Sequence, residues 1–498
     1  MNNLLDVVII GAGVSGIGMA CRLKRQHPGK SFKVLERRER IGGTWDLMRY
    51  PGVRSDSDMY TFGFQFRPWR SYKTLADGTS IRNYLGDTAR EFEVADHVDY
   101  GIHCTAADWD SEQQLWTITA THEPTGEKRS YQARFLVSAQ GYYNHDHGYR
   151  PVFKGEDQFQ GQIIHPQKWP ENLDYSGKKV VIIGSGATAI TMVPVMAEKA
   201  AKVTMLQRSP TYIFSLPAWD RMIEILDKFL PRRWSFAIAR QRNLMIWQTN
   251  YKLCMRFPNA ARKFFIGQAK RLLGQSFSEK DFTPRYKPWE QRLCAVPDAD
   301  LYKAIRGGRA QVVTDTIDNF TRKGIRLTSG KELDADIIVS ATGLAVQMFG
   351  GMALSVDGKP CNPAEKMAYK SVLIQDLPNF AWIFGYINLS WTMKADMSSL
   401  YLCRLFEHMD QHGQAVVVPR DKQNMQMETS VLDQLSAGYV RRARDLLPRQ
   451  GKAMPWIVRH NYREDKKMML RTPIADPAHL ETRPHRLADQ PKPLRRAA

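Results

Sequence analysis

The sequence predicts an α/β protein with two Rossmann-like units, the second of which is interrupted by a helical insert. Two segments share one design: DVVIIGAGVSGIGMACRL at 6–23 and KKVVIIGSGATAITMVPVMA at 178–197. Each runs from a short β-branched stretch through a glycine-rich turn into small residues with helical periodicity. This order is typical of the start of a nucleotide-binding βαβ unit. The runs ARFLVSAQGYY at 133–143 and LDADIIVSATGL at 333–344 are interpreted as the strands that return the chain beneath each nucleotide.

The size and composition of the chain indicate a multidomain globular protein. Its 498 residues suffice for two or three domains, and its hydrophobic and charged fractions are ordinary. The six cysteines contain no CxxC pair, so neither a disulfide framework nor a zinc site is expected. No metal site is expected elsewhere either. The chain shows no basic leader and no apolar run long enough to span a bilayer, so we expect a cytoplasmic protein.

The net charge of +20 is concentrated in two regions. Residues 221–292 carry 16 Lys and Arg against 5 Asp and Glu, and residues 441–498 carry 15 against 6. No recognition helix, zinc finger or aromatic RNA motif accompanies this charge, so nucleic acid is not an expected partner. Peripheral contact of the insert and tail with an anionic membrane, and a plainly solvated basic face, both stay open. For the apolar faces of the insert, packing on the protein is preferred over membrane contact.

The first glycine-rich turn has the pattern GxGxxG, formed by Gly11, Gly13 and Gly16. These glycines make the tight turn, admit a pyrophosphate and let the helix pack on the strand. The pyrophosphate then meets the free N–H groups of the helix N-terminus. Glu36 ends the run FKVLE 20 residues after Gly16, at the position where an acid accepts hydrogen bonds from a ribose.

The second turn has the pattern GxGxxA, formed by Gly184, Gly186 and Ala189. Gln207 occupies the position of the ribose-binding acid, and Arg208 follows it. A carboxylate there would repel a 2′-phosphate, whereas an amide beside a guanidinium can bind one. The second site is therefore predicted to bind NADPH rather than NADH; a solvent-facing Arg208 is the alternative.

Two dinucleotide sites in one chain suggest hydride transfer from NADPH to a bound flavin. One class of two-site flavoproteins passes the electrons to a redox-active disulfide, but the sequence lacks the close cysteine pair that this needs. Oxygen is then the most available acceptor. We therefore predict FAD and NADPH as cofactors and O2 as co-substrate.

Two long motifs make the prediction more specific. FQGQIIHPQKWP at 159–170 matches FxGxxxHxxxWP, and GGTWDLMRYPGVRSD at 42–56 matches [A/G]GxWxxxx[F/Y]P[G/M]xxxD. The chain thereby resembles the class B flavoprotein Baeyer–Villiger monooxygenases of the flavin-containing monooxygenase superfamily. IIHPQKWPE, VIIGSGATA, LQRSPTYI and MAYK further resemble the ethionamide-activating branch of that family.

The resemblance implies roles for the fingerprint residues Phe159, Gly161, His165 and Trp169, which would lie between the two cofactor domains. His165 would couple domain movement to cofactor position; a purely structural linker is the alternative. We expect Gly161 to permit an unusual backbone, and Phe159 and Trp169 to anchor the two ends of the segment.

The resemblance also implies a catalytic arginine. In the family it precedes a strand and helix that end in a VxxVDT-like run, and PWEQRLCAVPDADLYKAIRGGRAQVVTDT at 288–316 assigns this role to Arg292. Asp56 would orient Arg292 and keep it charged. A cation there would stabilise an anionic flavin peroxide that attacks a ketone. Better-known relatives have a lysine just before this arginine; here it is Gln291, which leaves Arg208 to bind the 2′-phosphate.

The predicted activity is insertion of one oxygen atom of O2 into a small-molecule ketone, giving an ester or lactone through a C4a-peroxyflavin. Oxidation of sulfides or thioamides is expected as a second activity. One alternative is a scaffold that acts mainly as an S- or N-oxygenase. Another is a basic protein that binds lipid or nucleic acid and uses flavin only structurally. The oligomeric state stays open.

The predicted domains are an FAD-binding domain in two parts (1–150 and 336–450), a linker with the fingerprint (151–175), an NADPH-binding domain in two parts (176–220 and 291–335), a helical insert (221–290) and a basic C-terminal tail (451–498). Further cofactor contacts are expected from Ser15, Thr44, Trp45, Asp46, Leu47, Arg54, Ser55, Asp56, Cys104, Ser185, Ala187 and Thr188. A local surface ion pair is the alternative for Arg54 and Asp56. Trp391 and Lys394 are considered as cavity wall and cofactor contact, with ordinary packing or surface exposure as the alternative.

Overall fold

The computed structural model describes residues 4–433 and 438–486. In this part of the chain the strands are β1 (Leu5–Ile10), β2 (Phe32–Leu35), β3 (Val98–Asp99), β4 (Ile102–Asp110), β5 (Leu115–His122), β6 (Glu127–Ser138), β7 (Tyr143–Gly148), β8 (Gln162–Ile164), β9 (Lys179–Ile183), β10 (Lys202–Gln207), β11 (Ile213–Leu216), β12 (Cys294–Pro297), β13 (Ala310–Thr314), β14 (Ile317–Thr321), β15 (Gly324–Leu327), β16 (Glu332–Asp334), β17 (Ile337–Ser340), β18 (Leu344–Val346), β19 (Ala353–Val356), β20 (Lys359–Cys361), β21 (Ala368–Tyr369), β22 (Leu373–Ile374), β23 (Phe380–Trp382), β24 (Gln414–Pro419), β25 (Gln426–Ser430), β26 (Arg449–Gly451) and β27 (Leu480–Pro484).

The α-helices of the described residues are α1 (Val14–Gln26), α2 (Thr44–Leu47), α3 (Met59–Phe62), α4 (Gly78–Glu91), α5 (Ala187–Met196), α6 (Arg221–Leu226), α7 (Arg232–Arg256), α8 (Pro258–Leu273), α9 (Glu279–Phe282), α10 (Asp300–Arg306), α11 (Trp391–Gln411), α12 (Gly438–Arg442) and α13 (Tyr462–Leu470). Across residues 4–433 and 438–486, no helix has the length and apolar character needed to cross a membrane.

The first glycine-rich unit lies in a parallel sheet with the order β3-β2-β1-β6-β23. Along β1, Val7 and Ile9 enter one apolar cluster, while Val8 and Ile10 enter another on the opposite face. A parallel strand that is covered on both faces reads as a continuous apolar run, which explains VVII. Strands β4 and β5 extend β6 as an antiparallel meander.

The second glycine-rich unit lies in a separate parallel sheet with the order β13-β10-β9-β17-β8. The two predicted return strands correspond to the second half of β6 and to β17, which pair in parallel with β1 and β9. The predicted fold class, two Rossmann-like units with a helical insert in the second, is therefore confirmed.

Both units use the same turn. The backbone φ is +102° at Gly11 and +136° at Gly184, a conformation that L side chains rarely adopt. A Cβ on Gly11 would lie 2.8 Å from the carbonyl oxygen of Ala139, and one on Gly184 would collide with the carbonyl of Ala341. Each alanine follows its return strand, so the SAQG and SATG runs close the two turns in the same way.

The insert contains α6, α7, α8 and α9, and β11 pairs in parallel with β12 at its base. Helix α7 ends at Arg256, and Pro258 opens α8, where a missing N–H group costs nothing. The inner side of α7 holds the first unit, because the Arg240 guanidinium donates to the carbonyls of Tyr60 and Gly63, at 2.8 Å each.

Residues 451–486 of the predicted basic tail pack on the first unit. Strand β27 pairs with β24, and α13 packs on α11. Lys394 on α11 is fully buried and pairs with Asp465 on α13 at 3.3 Å. Asp465 also accepts a hydrogen bond from the Tyr386 hydroxyl at 2.7 Å. Residues 487–498 lie outside the described residues.

The Lys394–Asp465 pair gives a stability prediction. Asp465→Asn should cost about 3–5 kcal/mol, because it leaves a buried ammonium group without its counter-charge. The midpoint of thermal unfolding, followed by tryptophan fluorescence, should fall accordingly. The matched control is Glu332→Gln in the exposed Arg326–Glu332 pair, which should cost less than about 1 kcal/mol. Equal midpoints for the two variants would show that the buried pair is not needed for stability.

Candidate active site

A cavity of about 310 Å³ lies where the carboxyl ends of the two parallel sheets meet. Its walls come from the first glycine-rich turn and from the start of α5 in the second unit. Ligands of open α/β sheets bind at the carboxyl ends of the strands, so this is the expected place for a nucleotide. Of the residues predicted from sequence, the cavity wall contains Gly11, Gly13, Ser15, Glu36, Thr44, Trp45, Arg54, Ser55, Asp56, Cys104, Ala187, Thr188 and Arg292.

Other predicted residues stand behind this wall. A Cβ on Gly16 would collide with the carbonyl of Gly11, so Gly16 serves the packing of α1 on the turn. Leu47 packs in the apolar core of the second unit. The remaining predicted cofactor contacts outside the cavity wall are Asp46, Gly184, Ser185, Gly186, Ala189, Gln207 and Arg208.

Asp46 is the centre of an arginine cluster. Its buried carboxylate lies 2.7 Å from the Arg38 guanidinium, 3.5 Å from that of Arg82, and 3.6 Å from those of Arg40 and Arg49. Four cations around one carboxylate hold α2 against the segments that carry them. Asp46 therefore positions the helix that begins at Thr44.

Glu36 closes the first turn from the end of β2. One carboxylate oxygen accepts the N–H of Ala12 at 2.6 Å and the other accepts the N–H of Arg38 at 2.8 Å. Burial raises the pKa of Glu36, while these two N–H groups oppose the rise. The carboxylate is thus fixed in place, with its edge on the cavity.

The cavity suits a dinucleotide that carries a flat ring system. Gly13 and Gly43 lie face to face, and a Cβ on Gly43 would stand 2.9 Å from the Cα of Gly13. Arg54 donates from Nη1 to Asp300 at 2.6 Å, so it does not pair with Asp56, while its buried Nη2 has no hydrogen-bond partner. A buried unpaired donor is costly unless a ligand accepts its hydrogen bond. The close backbone and the unpaired donor together fit FAD.

Arg292 and Asp56 meet at the edge of the cavity. The Nε–Oδ2 and Nη2–Oδ1 distances are both 3.2 Å, and the two side chains are 39% and 29% exposed. A two-point contact of this kind fixes the plane of the guanidinium. The pair joins the segment before α3 to the segment before β12, so it forms only when the two units are assembled.

A smaller cavity lies on the other side of this ion pair. Asp56 and Arg292 line both cavities, and the smaller one is walled by the aromatic rings of Phe214, Trp247 and Trp289. It also contains Asn388 and Ser390, whose buried Oδ1 and Oγ atoms have no hydrogen-bond partner. Its volume is about 30 Å³, and its lining is divided equally between apolar and polar residues.

Several cavity residues follow the return strand β6, and sequence patterns did not single them out. They are Gln140, Tyr142, Tyr143 and His145. The signal was their place directly after a predicted return strand. Burial lowers the pKa of His145 to about 4, so its imidazole is neutral at pH 7. Trp391 does form part of the wall: it donates to Ser15 Oγ at 2.9 Å and stacks on Tyr142, whereas Lys394 is buried behind it.

The second turn is more open, and Gln207 and Arg208 differ there. Gln207 is buried, and its amide nitrogen donates to the Asp281 carbonyl and to Thr314 Oγ1, at 2.8 Å each. Its hydrogen bonds are therefore used within the protein. Arg208 is exposed and makes no ion pair with a residue between 4 and 433 or between 438 and 486. It is the cation that the second turn presents to solvent.

The fingerprint contains β8, an edge strand of the second sheet that pairs with β17. The expected unusual backbone at Gly161 is wrong, since its φ is not left-handed. Glycine is needed there for space, because a Cβ would collide with the Asp336 carbonyl and the Phe159 ring. At the two ends, Phe159 is buried against Phe320 and Trp169 packs on the core of the second unit.

His165 lies directly after β8 and contacts both β7 and the segment after β17. Its Nδ1 accepts the N–H of Gln167 and its Nε2 donates to the carbonyl of Gly343, both at 3.2 Å. The ring also fills the space beside Gly148, where a Cβ would collide with it. Burial lowers the pKa of His165, so the neutral ring holds the end of β8 against β7 and the segment after β17.

Comparisons with known proteins agree with this architecture. The family model described as pyridine nucleotide-disulphide oxidoreductase matches residues 8–215. The chain is 54% identical over 480 residues to MymA of Mycobacterium tuberculosis, which is named as an FAD-containing monooxygenase, covering 96% of this chain and 97% of that protein. It is 48% identical over 490 residues to the FAD-containing monooxygenase EthA of Mycolicibacterium smegmatis, covering 98% and 99%.

Solved structures show the same fold at low identity. An oxidized steroid monooxygenase bound to NADP matches with a TM-score of 0.70 at 22% identity, over 84% of this chain and 88% of that one. An open structure of cyclohexanone monooxygenase matches with a TM-score of 0.69 at 22% identity, over 84% and 90%.

The packing of Gly161 gives a prediction for the fingerprint. Gly161→Ala should lower the free energy of unfolding by about 1–3 kcal/mol, because the added methyl group must displace backbone. Gly29→Ala is the control, since nothing lies within 4 Å of a Cβ there. Chemical denaturation of both variants measures the difference. If Gly161→Ala is as stable as Gly29→Ala, the fingerprint glycine is not required for space.

Proposed function

The chain belongs to the family of FAD-containing monooxygenases, and from this premise we propose that it is an NADPH-dependent Baeyer–Villiger monooxygenase. It inserts one oxygen atom of O2 beside a ketone carbonyl to give an ester or a lactone. The observation that carries this proposal is the two-point Arg292–Asp56 ion pair, which stands between the main cavity and the smaller aromatic cavity.

The two cofactors would be held by the two glycine-rich turns. FAD would lie along Gly11 and Gly13, with its ribose near Glu36 and an acceptor group near the unpaired Nη2 of Arg54. NADPH would approach the turn at 184–189, with its 2′-phosphate near Arg208. When bound, FAD takes a hydride from NADPH and passes the electrons to O2.

Arg292 would act as the electrostatic catalyst. Attack on a ketone places negative charge on oxygen, and a fixed cation beside that oxygen lowers the energy of the charged adduct. Asp56 holds the guanidinium through two contacts, so little reorientation is needed at the moment of reaction. The side chain of Arg292 is 39% exposed and lines both cavities.

The smaller cavity, of about 30 Å³, would form one end of the ketone site, and the adjoining part of the main cavity would provide the rest. The rings of Phe214, Trp247 and Trp289 would exclude water and accept apolar substituents. The carbonyl would lie toward Arg292, and the buried oxygens of Ser390 and Asn388 would be available to a polar group of the substrate. This arrangement favours a ketone with apolar substituents.

The charge of Arg292 gives the first activity prediction. Arg292→Ala should lower ester formation by about 10²–10³-fold, while oxidation of NADPH in the presence of O2 continues, because only the charged step loses its stabilisation. Gas chromatography of the product and absorbance at 340 nm measure the two rates. Arg285→Ala, an exposed arginine in the same segment, is the control. Ester formation within twofold of the native rate in Arg292→Ala would remove Arg292 from the mechanism.

Oxygenation of sulfides is the second candidate function, and its rate should depend less on the charge of Arg292. A sulfide attacks oxygen as a nucleophile and needs no oxyanion stabilised at a carbonyl. When a ketone and a sulfide are offered together, the native protein should form ester, and Arg292→Ala should shift the products toward sulfoxide. Sulfoxide as the sole product of the native protein would favour the S-oxygenase.

The exposed Arg208 gives the coenzyme prediction. Arg208→Ala should raise the KM for NADPH about tenfold and leave that for NADH unchanged, because only NADPH carries the 2′-phosphate. Steady-state kinetics with both coenzymes measure the change. Arg322→Ala, also exposed, should affect neither. An equal effect of Arg208→Ala on the two coenzymes would contradict the assignment.

A further inference from the structure

The exposed apolar side chains of this protein are concentrated in the insert. Of nineteen large hydrophobic residues exposed in the described chain, thirteen lie between residues 219 and 264. Isolated exposed apolar residues are ordinary, but a concentration of this kind marks an interaction surface. The thirteen are Trp219, Met222, Ile225, Phe229, Leu230, Trp234, Ile238, Met245, Ile246, Leu253, Met255, Phe257 and Phe264.

Helix α7 has an outer apolar stripe. At 3.6 residues per turn, Trp234, Ile238 and Met245 fall within about 40° of one another around the helix. They are 56%, 42% and 57% exposed. The buried Phe236 and Cys254 fall on the opposite side. Within α7, the expectation that the apolar faces of the insert pack on the protein therefore holds only for the inner side.

The charged side chains around this stripe have one sign. Between residues 221 and 271 every exposed charged residue is basic: Arg221, Lys228, Arg233, Lys252, Arg256, Lys263, Lys270 and Arg271. The two acids of this range are partly buried and engaged, Glu224 with Trp219 and Asp227 with Arg232. Lys252 and Arg256 fall on the same side of α7 as Trp234.

We propose that the outer face of α6, α7 and α8, residues 219–271, docks on the surface of an anionic lipid bilayer. Apolar rings and aliphatic chains would enter the boundary between headgroups and acyl chains, while the basic side chains contact lipid phosphates. A second copy of this chain is a poorer occupant, because it would bring two basic faces together. The face lies on the membrane without crossing it, in keeping with the absence of a spanning helix among the described residues.

Docking would also orient the site. The inner side of α7 carries Trp247, which lines the smaller cavity and donates to Asp58 at 2.9 Å. Asn243, one helical turn away, donates to the same carboxylate at 2.8 Å. The helix that meets the lipid is therefore tied to the wall of the smaller cavity. The docking itself does not depend on the proposed function.

Co-sedimentation of the full-length FAD-loaded protein with vesicles tests this proposal. The protein should bind vesicles of phosphatidylcholine with phosphatidylglycerol, and should bind phosphatidylcholine alone at least tenfold more weakly. The triple variant W234Q/I238Q/M245Q should reduce binding at least tenfold. K252E/R256E should abolish the preference for phosphatidylglycerol and its sensitivity to salt.

Matched controls come from exposed residues outside the face. Val152→Gln with Leu446→Gln controls for loss of apolar surface, and Lys323→Glu with Lys331→Glu controls for loss of charge. Both should bind like the native protein, and all variants should keep the native unfolding midpoint. Failure of the native protein to bind anionic vesicles would overturn the proposal. So would a dimer in solution that the triple variant dissociates, since the face would then be covered by a second copy.

Discussion

The contact on which the site depends is the ion pair between Arg292 and Asp56. The carboxylate belongs to the first unit and the guanidinium to the base of the insert in the second. Neither unit alone can place both groups. Because the two sheets point their carboxyl ends at one cavity, the pair lines both that cavity and the smaller one beside it. Surrounding contacts, such as those of α7 with the carbonyls at 60 and 63, keep that edge in place.

The two glycine-rich turns avoid the same steric clash in the same way. A left-handed glycine lets each turn pass under the carbonyl of an alanine that follows a return strand. The two units differ at the end of their second strand. The first has a buried acid at the end of its second strand, whereas the second has a buried amide and an exposed arginine. The fingerprint strand completes the second sheet, and its histidine holds the end of that strand against β7.

The sequence predicted whatever is encoded locally. The glycine spacing and the β-branched runs each lie within about 20 residues, and the aromatic, basic insert is one continuous segment (221–290), so the two units and the insert could be recognised. Contacts between segments that are far apart in the sequence could not be recognised from it. Gln207 is held by groups 74 and 107 residues away, which no periodicity reveals. Gly161 is constrained by the carbonyl of Asp336, and Asp46 by arginines from two segments, so their packing roles appear only in the folded chain.

A double-mutant cycle on the kcat/KM for ester formation tests the central claim most directly, namely that Asp56 acts through Arg292. The variants are Asp56→Ala, Arg292→Ala and the two together, each loaded with FAD. If the carboxylate serves only to hold the guanidinium, the double variant should be no slower than Arg292→Ala alone. Losses that multiply would show that the two residues act independently, and would contradict the account.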